Sequence, residues 1–223
     1  MTKLDIKNSI KFNLVELKKW EEYKVTWKEI ITVVSWKIFQ FLTENELKTF
    51  ESSLFFEKNI FKALEDSFLT VVSLDKKINH NDIDVEKEFW DFCRKNWTSV
   101  YEAYWVLKWT DLYKSPIIEK EFNWTKYKFN FWFCWKNVDC WIHNEHNFIE
   151  IHTSILWDWR MEKFLENDEN TLLEQVNMRP GLSHRPFNKI WKFDEKWNPI
   201  YPYHRWMWWK NGDIWLVIEK YTN

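Results

Sequence analysis

Five of the six histidines fall in the last 81 of 223 residues, at 143, 146, 152, 184 and 204. His80 stands apart, in Ile-Asn-His-Asn-Asp, and reads as a surface-loop residue. The densest stretch runs Cys140-Trp-Ile-His143-Asn-Glu-His146-Asn-Phe-Ile-Glu150-Ile-His152-Thr-Ser-Ile-Leu-Trp157. On a strand, side chains alternate between faces. His146, Glu150 and His152 would then share one face, with Ile149, Ile151, Thr153 and Ile155 on the other. Imidazole and carboxylate turned into a protein interior are costly unless they are paired or bind a metal ion. Neutral imidazole with carboxylate suits Fe, Mn, Ni or Zn. Arg160 and Arg179 could hold an anionic ligand bidentately, although surface ion pairing is the plainer role for each. Tyr201 and Tyr203 could stack on a sugar or simply cover a barrel end, and His204, before the last strand, could line a pocket mouth or sit in a plain loop.

Other chemistries are absent. Cys93, Cys134 and Cys140 are three cysteines without a Cys-x-x-Cys pair. That argues against a disulfide framework and for a reduced, cytoplasmic setting. The gap between Cys134 and Cys140 does not match a zinc-finger spacing. No phosphate-binding loop and no Gly-x-Ser-x-Gly elbow occurs. The 32 basic and 34 acidic residues give a net charge of −2, with no basic stripe for nucleic acid. No apolar run is long enough for a transmembrane helix, and the N-terminus lacks a signal-peptide core. A small-molecule ligand is therefore the expected partner.

The spacing resembles the cupin superfamily. That family's first motif carries His-x-His, then Glu, then six residues and Gly. Here His146, three residues, Glu150, six residues and Trp157 follow it, with tryptophan in the glycine place. The second motif is matched by Gly181-Leu-Ser-His184-Arg-Pro-Phe-Asn188, although Pro180 abuts the glycine. The resemblance implies one divalent metal held by His146, Glu150 and His184, with His143 and His152 next in rank. The first motif histidine would fall at Asn144. Either His143 bulges in, Asn144 is a weak ligand, or His152 substitutes. Implied functions are an isomerase or dioxygenase acting on a small polar or carboxylate-bearing molecule. A binding-only cupin is the alternative, and pairing through sheet edges would make a homodimer.

The elements around these residues read as strands. Alternating or β-branched runs cover Phe12 to Leu17, Glu29 to Val34, Ile38 to Leu42, Phe61 to Leu64 and Phe68 to Val72. They return at Tyr127 to Phe133, Phe148 to Leu156, Arg160 to Phe164, Leu172 to Met178 and Ile214 to Tyr221. Short strands at this spacing predict a sandwich or barrel. Between them, Val85 to Leu107 has helical spacing broken near Asn96-Trp97. The expected fold is all-β: a cupin-type jelly-roll barrel over 116–223, a helical linker over 85–115, and a small, degenerate, histidine-poor cupin-like unit over 1–84.

The composition is inverted: 19 tryptophans and 2 glycines, where about 7% glycine is ordinary. Trp97, Trp109, Trp124 and Trp197 occupy turn contexts where glycine supplies positive φ without steric cost. Most of these tryptophans would be glycines under a genetic code that reads UGA as glycine. Trp90 and Trp215 sit in apolar runs and read as genuine. The expectation is that Trp97, Trp124, Trp157 and Trp197 lie in turns, poorly buried, some with positive φ. Trp206, Trp208 and Trp209 would form a loop before the last strand. A genuinely Trp-rich carbohydrate-binding sandwich is the competing reading.

Overall fold

A computed structural model describes residues 3–40, 45–56, 58–79, 83–100, 111–136, 138, 140–144, 148–184, 192–193, 199–207 and 212–221. His80, His146, Asn188, Trp109, Trp197, Trp208 and Trp209 lie outside them. The chain forms two compact units, one of residues 1–83 with 181–183, the other of 84–180 with 184–223.

The first unit holds β1 (Lys3–Ile6), β2 (Ile10–Leu17), β3 (Glu22–Val25), β4 (Glu29–Ser35), β5 (Ile38–Gln40), β6 (Asn45–Leu47), β7 (Ser52–Phe55), β8 (Asn59–Ala63) and β9 (Ser67–Leu74). One antiparallel sheet runs β1-β2-β9-β4-β7 and the other β3-β8-β5-β6. If β2 to β9 are counted as one to eight, the sheets read 1-8-3-6 and 2-7-4-5. Successive strands alternate between sheets and close a long hairpin back on itself, which is the jelly roll. Its interior is apolar. Val25, Ile31, Val33, Ile38, Phe55, Phe61, Leu69 and Val71 are all buried in one cluster drawn from both sheets. One charged exception is Glu29, buried and accepting from the hydroxyls of Tyr23, Thr26 and Ser73.

The second unit opens with helix α1 (Val85–Asn96). Asp84 caps it, accepting the Lys87 backbone N–H at 3.1 Å. Acidic Glu86 and Glu88 sit in the first turn and Arg94 and Lys95 in the last, each favourable to the helix dipole. Val85, Phe89 and Cys93, at i, i+4 and i+8, form its buried stripe, and Trp90 packs edge-on against Tyr113 and Trp135. The helix is thus part of the second unit. It ends at Asn96, where the sequence placed the break.

The strands that follow are β10 (Thr98–Ser99), β11 (Leu112–Lys114), β12 (Ile118–Phe122), β13 (Thr125–Cys134), β14 (Ile149–Ser154), β15 (Trp159–Phe164), β16 (Leu172–Met178), β17 (Lys192–Phe193), β18 (Pro199–Ile200), β19 (Tyr203–Met207) and β20 (Asp213–Tyr221). The main sheet runs β10-β11-β13-β20-β14, and β16-β15-β19 form the second. Two isolated contacts complete the pattern. His143 bridges antiparallel to His204 beside β19, and the His184 N–H donates to His152 O beside β14. With these as strands two and six, the same 1-8-3-6 and 2-7-4-5 order appears. The segment holding His204 and Trp206 is therefore a strand, so the expectation of a loop does not hold at either residue. Among the described residues no helix is long and apolar enough to cross a membrane.

Asp213 opens β20, wholly buried. Its Oδ1 accepts the N–H groups of Leu156, Trp157 and Ile214, tying the β14–β15 turn to the last strand. Burial drives its carboxyl pKa well above the ordinary range, so a neutral carbonyl acceptor should replace it. Asp213→Asn is expected to unfold near the parent's urea midpoint. Asp213→Ala leaves two turn N–H groups unpaired and should cost on the order of 2 kcal/mol. Equal midpoints for the two variants would contradict this role.

Candidate functional site

The interior of the second unit differs in kind from that of the first. In the antiparallel register, Glu150 faces Glu219, His152 faces Val217 and Ser154 faces Trp215. Across β20, Lys128 faces Glu219, Asn130 faces Val217 and Trp132 faces Trp215. In the second sheet, Lys163 faces His204 and Met161 faces Trp206. Ring contacts of Trp215 with Trp159 and Trp206, and of His152 with Trp159, show that these faces meet. The lumen is therefore graded. Indoles of Trp132, Trp159, Trp206 and Trp215 fill one end. Glu150, His152, Lys163, His204, Lys128, Asn130 and Glu219 line the other. The apolar residues between them on β14 and β20 face outward, and β14 is buried on both faces.

Glu150 is the centre of the polar end. Its Oε1 lies 3.3 Å from His152 Nε2 and its Oε2 lies 3.9 Å from His204 Nε2. All three residues are buried. The Tyr201 hydroxyl donates to the Glu150 backbone carbonyl at 3.0 Å, pinning the strand. His143 and His204 exchange backbone hydrogen bonds of 3.0 and 2.9 Å, and their rings lie 4.4 Å apart.

The settings of these two rings follow from their partners. His143 Nδ1 lies 2.7 Å from Trp141 O, and His204 Nδ1 lies 2.9 Å from Pro202 O. A carbonyl only accepts, so each Nδ1 carries a proton, and Nε2 is the ring nitrogen left to other partners. Metal-binding histidines carry this arrangement, with the second ring nitrogen donating to a carbonyl. His152 Nδ1 is buried without a hydrogen-bond partner, which leaves a donor atom unexplained by the protein alone.

His184 has a different part. Its Nε2 accepts the His152 backbone N–H at 3.0 Å, so that lone pair is engaged in holding β14. The ring stands perpendicular to His152 at 5.0 Å. Of the sequence candidates, Glu150, His143, His152 and His184 converge, and His146 lies outside the described residues. Arg160 and Tyr203 do not join them. Arg160 binds Glu162 at 2.7 Å on the outer face of β15, and Tyr203 alternates outward from His204. Neighbouring Lys163 is the inward cation: it is buried, with Nζ 3.7 Å from Glu174. Arg179 lies exposed past the end of β16.

Sequence reasoning missed Glu219, Lys128 and Lys163. The period-2 alternation of Ile214 to Tyr221 marked Glu219 as facing away from Ile218, but only the register sets it beside Glu150. Among the described residues, no three His, Cys, Asp or Glu side chains are grouped to hold a metal ion as they stand.

Two carboxylates directly opposite on neighbouring strands repel. Burial raises the Glu219 carboxyl pKa above its ordinary 4.5 and the charge of Glu150 adds to this, against hydrogen bonds from Tyr221 and Asn130. The folded state thus favours protonated Glu219. Its contribution to stability is complete below about 4.5 and falls as pH rises through the folded value. Glu219→Gln should therefore leave metal-free stability unchanged at low pH and raise it near neutrality. Urea unfolding at both pH values checks this, and a destabilised variant near neutrality would contradict it.

No family model and no curated protein matches the sequence. Solved structures do. A cupin 2 conserved barrel domain protein from Leptotrichia buccalis matches 95% of this chain and 83% of its own, at 10% identity and TM-score 0.34. Oxalate decarboxylase from Bacillus subtilis matches 98% and 71%, at 10% identity and TM-score 0.36. Vicilin from hazelnut, Corylus avellana, matches 95% and 74%, at 8% identity and TM-score 0.37. At these scores the fold assignment rests on the strand order, which stands by itself. The chain is an all-β protein of two jelly-roll units, the fold that its cupin-like motifs imply.

Proposed function

We propose that the second unit holds one divalent metal ion, of Fe, Mn, Ni or Zn, at Glu150, His204 and His143. The observation that carries the reading is the matched setting of the His143 and His204 rings beside Glu150. Each sets Nδ1 against a carbonyl two residues away, and His204 turns Nε2 toward the Glu150 carboxylate at 3.9 Å. The donor set is neutral imidazole and carboxylate, which such metals accept. His152 stands against Glu150, and His184 holds the His152 backbone in place. This differs from the set that the motif spacing implies, with His143 and His204 in place of His146 and His184.

The ligand is a small polar molecule bearing a carboxylate or a similar anion. Lys163 and Lys128 supply positive charge on the inward face, and Asn130 and Glu219 supply hydrogen-bonding groups. A bound metal would supply Lewis-acid or redox chemistry at positions left open to ligand. The protein's own part is to orient the ligand between Lys163 and the metal ligands. The indole cluster occupies the far end. Isomerase and dioxygenase chemistry both fit this frame, and a ligand-binding protein without turnover would use the same lumen.

Elemental analysis of the purified, metal-reloaded chain should give about one equivalent of metal. His204→Ala and Glu150→Gln are expected to lose it, whereas His184→Ala, which removes only a supporting contact, should retain a larger share at weakened affinity. Full occupancy in His204→Ala would refute the assignment. No metal in the folded parent after reloading would move the reading to a binding-only barrel.

A further inference from the structure

Eight non-glycine residues have positive φ among the described residues, and three of them are tryptophans: Trp20 (72°), Trp36 (67°) and Trp124 (62°). Tryptophan is 19 of 223 residues, so an even draw would place fewer than one there. The left-handed region costs any residue with a Cβ and is the ordinary place of glycine.

Each site has a turn that asks for glycine. Asn123 (48°) and Trp124 form the two-residue loop between Phe122 and Thr125, which are paired in the β12–β13 hairpin. Two positive φ values there define a type I′ turn, whose preferred sequence is Asn-Gly. Trp20 is third in a turn closed by the Glu21 N–H to Lys18 O at 2.9 Å. Positive φ at that position marks type II, which calls for glycine. Trp36 joins β4 to β5. The indoles gain little burial in return, being 57%, 50% and 86% exposed for Trp20, Trp36 and Trp124. The two encoded glycines occupy places that need them: Gly181 has φ of 84°, and a Cβ on Gly212 would come 2.5 Å from Cys134 O.

We propose that glycine occupies positions 20, 36 and 124 in the protein as its own cells make it, the codons there being UGA read as glycine. The inference does not extend to every tryptophan. Trp97 is 8% exposed and ends α1 with φ of −114°, and Trp157 is half-buried without positive φ. The expectation does not hold for Trp97, and Trp157 keeps its place in the β14–β15 turn without the exposure or positive φ of a glycine site. Trp215 is packed among other indoles in the lumen.

Peptide mass spectrometry of the protein isolated from its source cells decides the matter. Glycine at 20, 36 and 124 with tryptophan at 215 is the expected result, and tryptophan at 124 overturns the proposal. Phe50 has a φ of 64° in a similar turn, so stability alone does not separate decoding from strain. Melting recombinant variants is the second check. Trp20→Gly, Trp36→Gly and Trp124→Gly should each raise Tm by roughly 2–4 °C, whereas Trp215→Gly should lower it. A lower Tm in all three turn variants would also overturn the proposal, since their backbones would then not favour glycine.

Discussion

The arrangement of the second unit turns on one cost, that of keeping ionisable groups inside a β-barrel. A buried carboxylate or imidazole without a partner loses several kcal/mol of hydration. The first unit limits this by filling the space between its sheets mainly with aliphatic and aromatic side chains, its buried Glu29 being met by three hydroxyls. The second has the same strand order yet turns Glu150, Glu219, Lys163 and His204 inward at one end. Such a lumen persists only where its members satisfy each other or an occupant does. The contacts around Glu150 are long for an ion pair between fixed partners, at 3.3 and 3.9 Å. A cation drawn between these groups would satisfy them together.

The supporting parts follow from that requirement. His143 and His204 come from strand positions adjacent in space but about sixty residues apart, and their mutual backbone hydrogen bonds set the two rings side by side. Carbonyls of Trp141 and Pro202 hold the two Nδ1 atoms. His184 and Tyr201 clamp the two residues of β14 that face the centre, one through its N–H and the other through its carbonyl. At the far end the indoles of Trp159, Trp206 and Trp215 pack against one another.

Much of this was legible in the chain, and the limits have physical causes. Glu150 and His152 share a face because strand periodicity is local, and the β-branched residues between them mark the opposite face. The helix was legible from its apolar spacing, and its end from Asn96-Trp97. His204 was harder. Pro202 and the tryptophans after it hide the alternation of β19, and its partner His143 lies in a single bridge, not in a full strand. His184 fits a motif spacing, but the use of its lone pair depends on the position of a backbone N–H in another strand. Glu219 and Lys128 needed the register of β20, which non-local pairing sets. Lys163 and Arg160 lie three residues apart on one strand, and only its register fixes which of them looks inward.

X-ray absorption at the metal edge of the metal-reloaded protein tests the central claim most directly. The account predicts a shell of nitrogen and oxygen donors, with the outer scattering of at least two imidazoles and no sulfur, since Cys93, Cys134 and Cys140 take no part. A sulfur-containing shell, or one of oxygen alone, would contradict it.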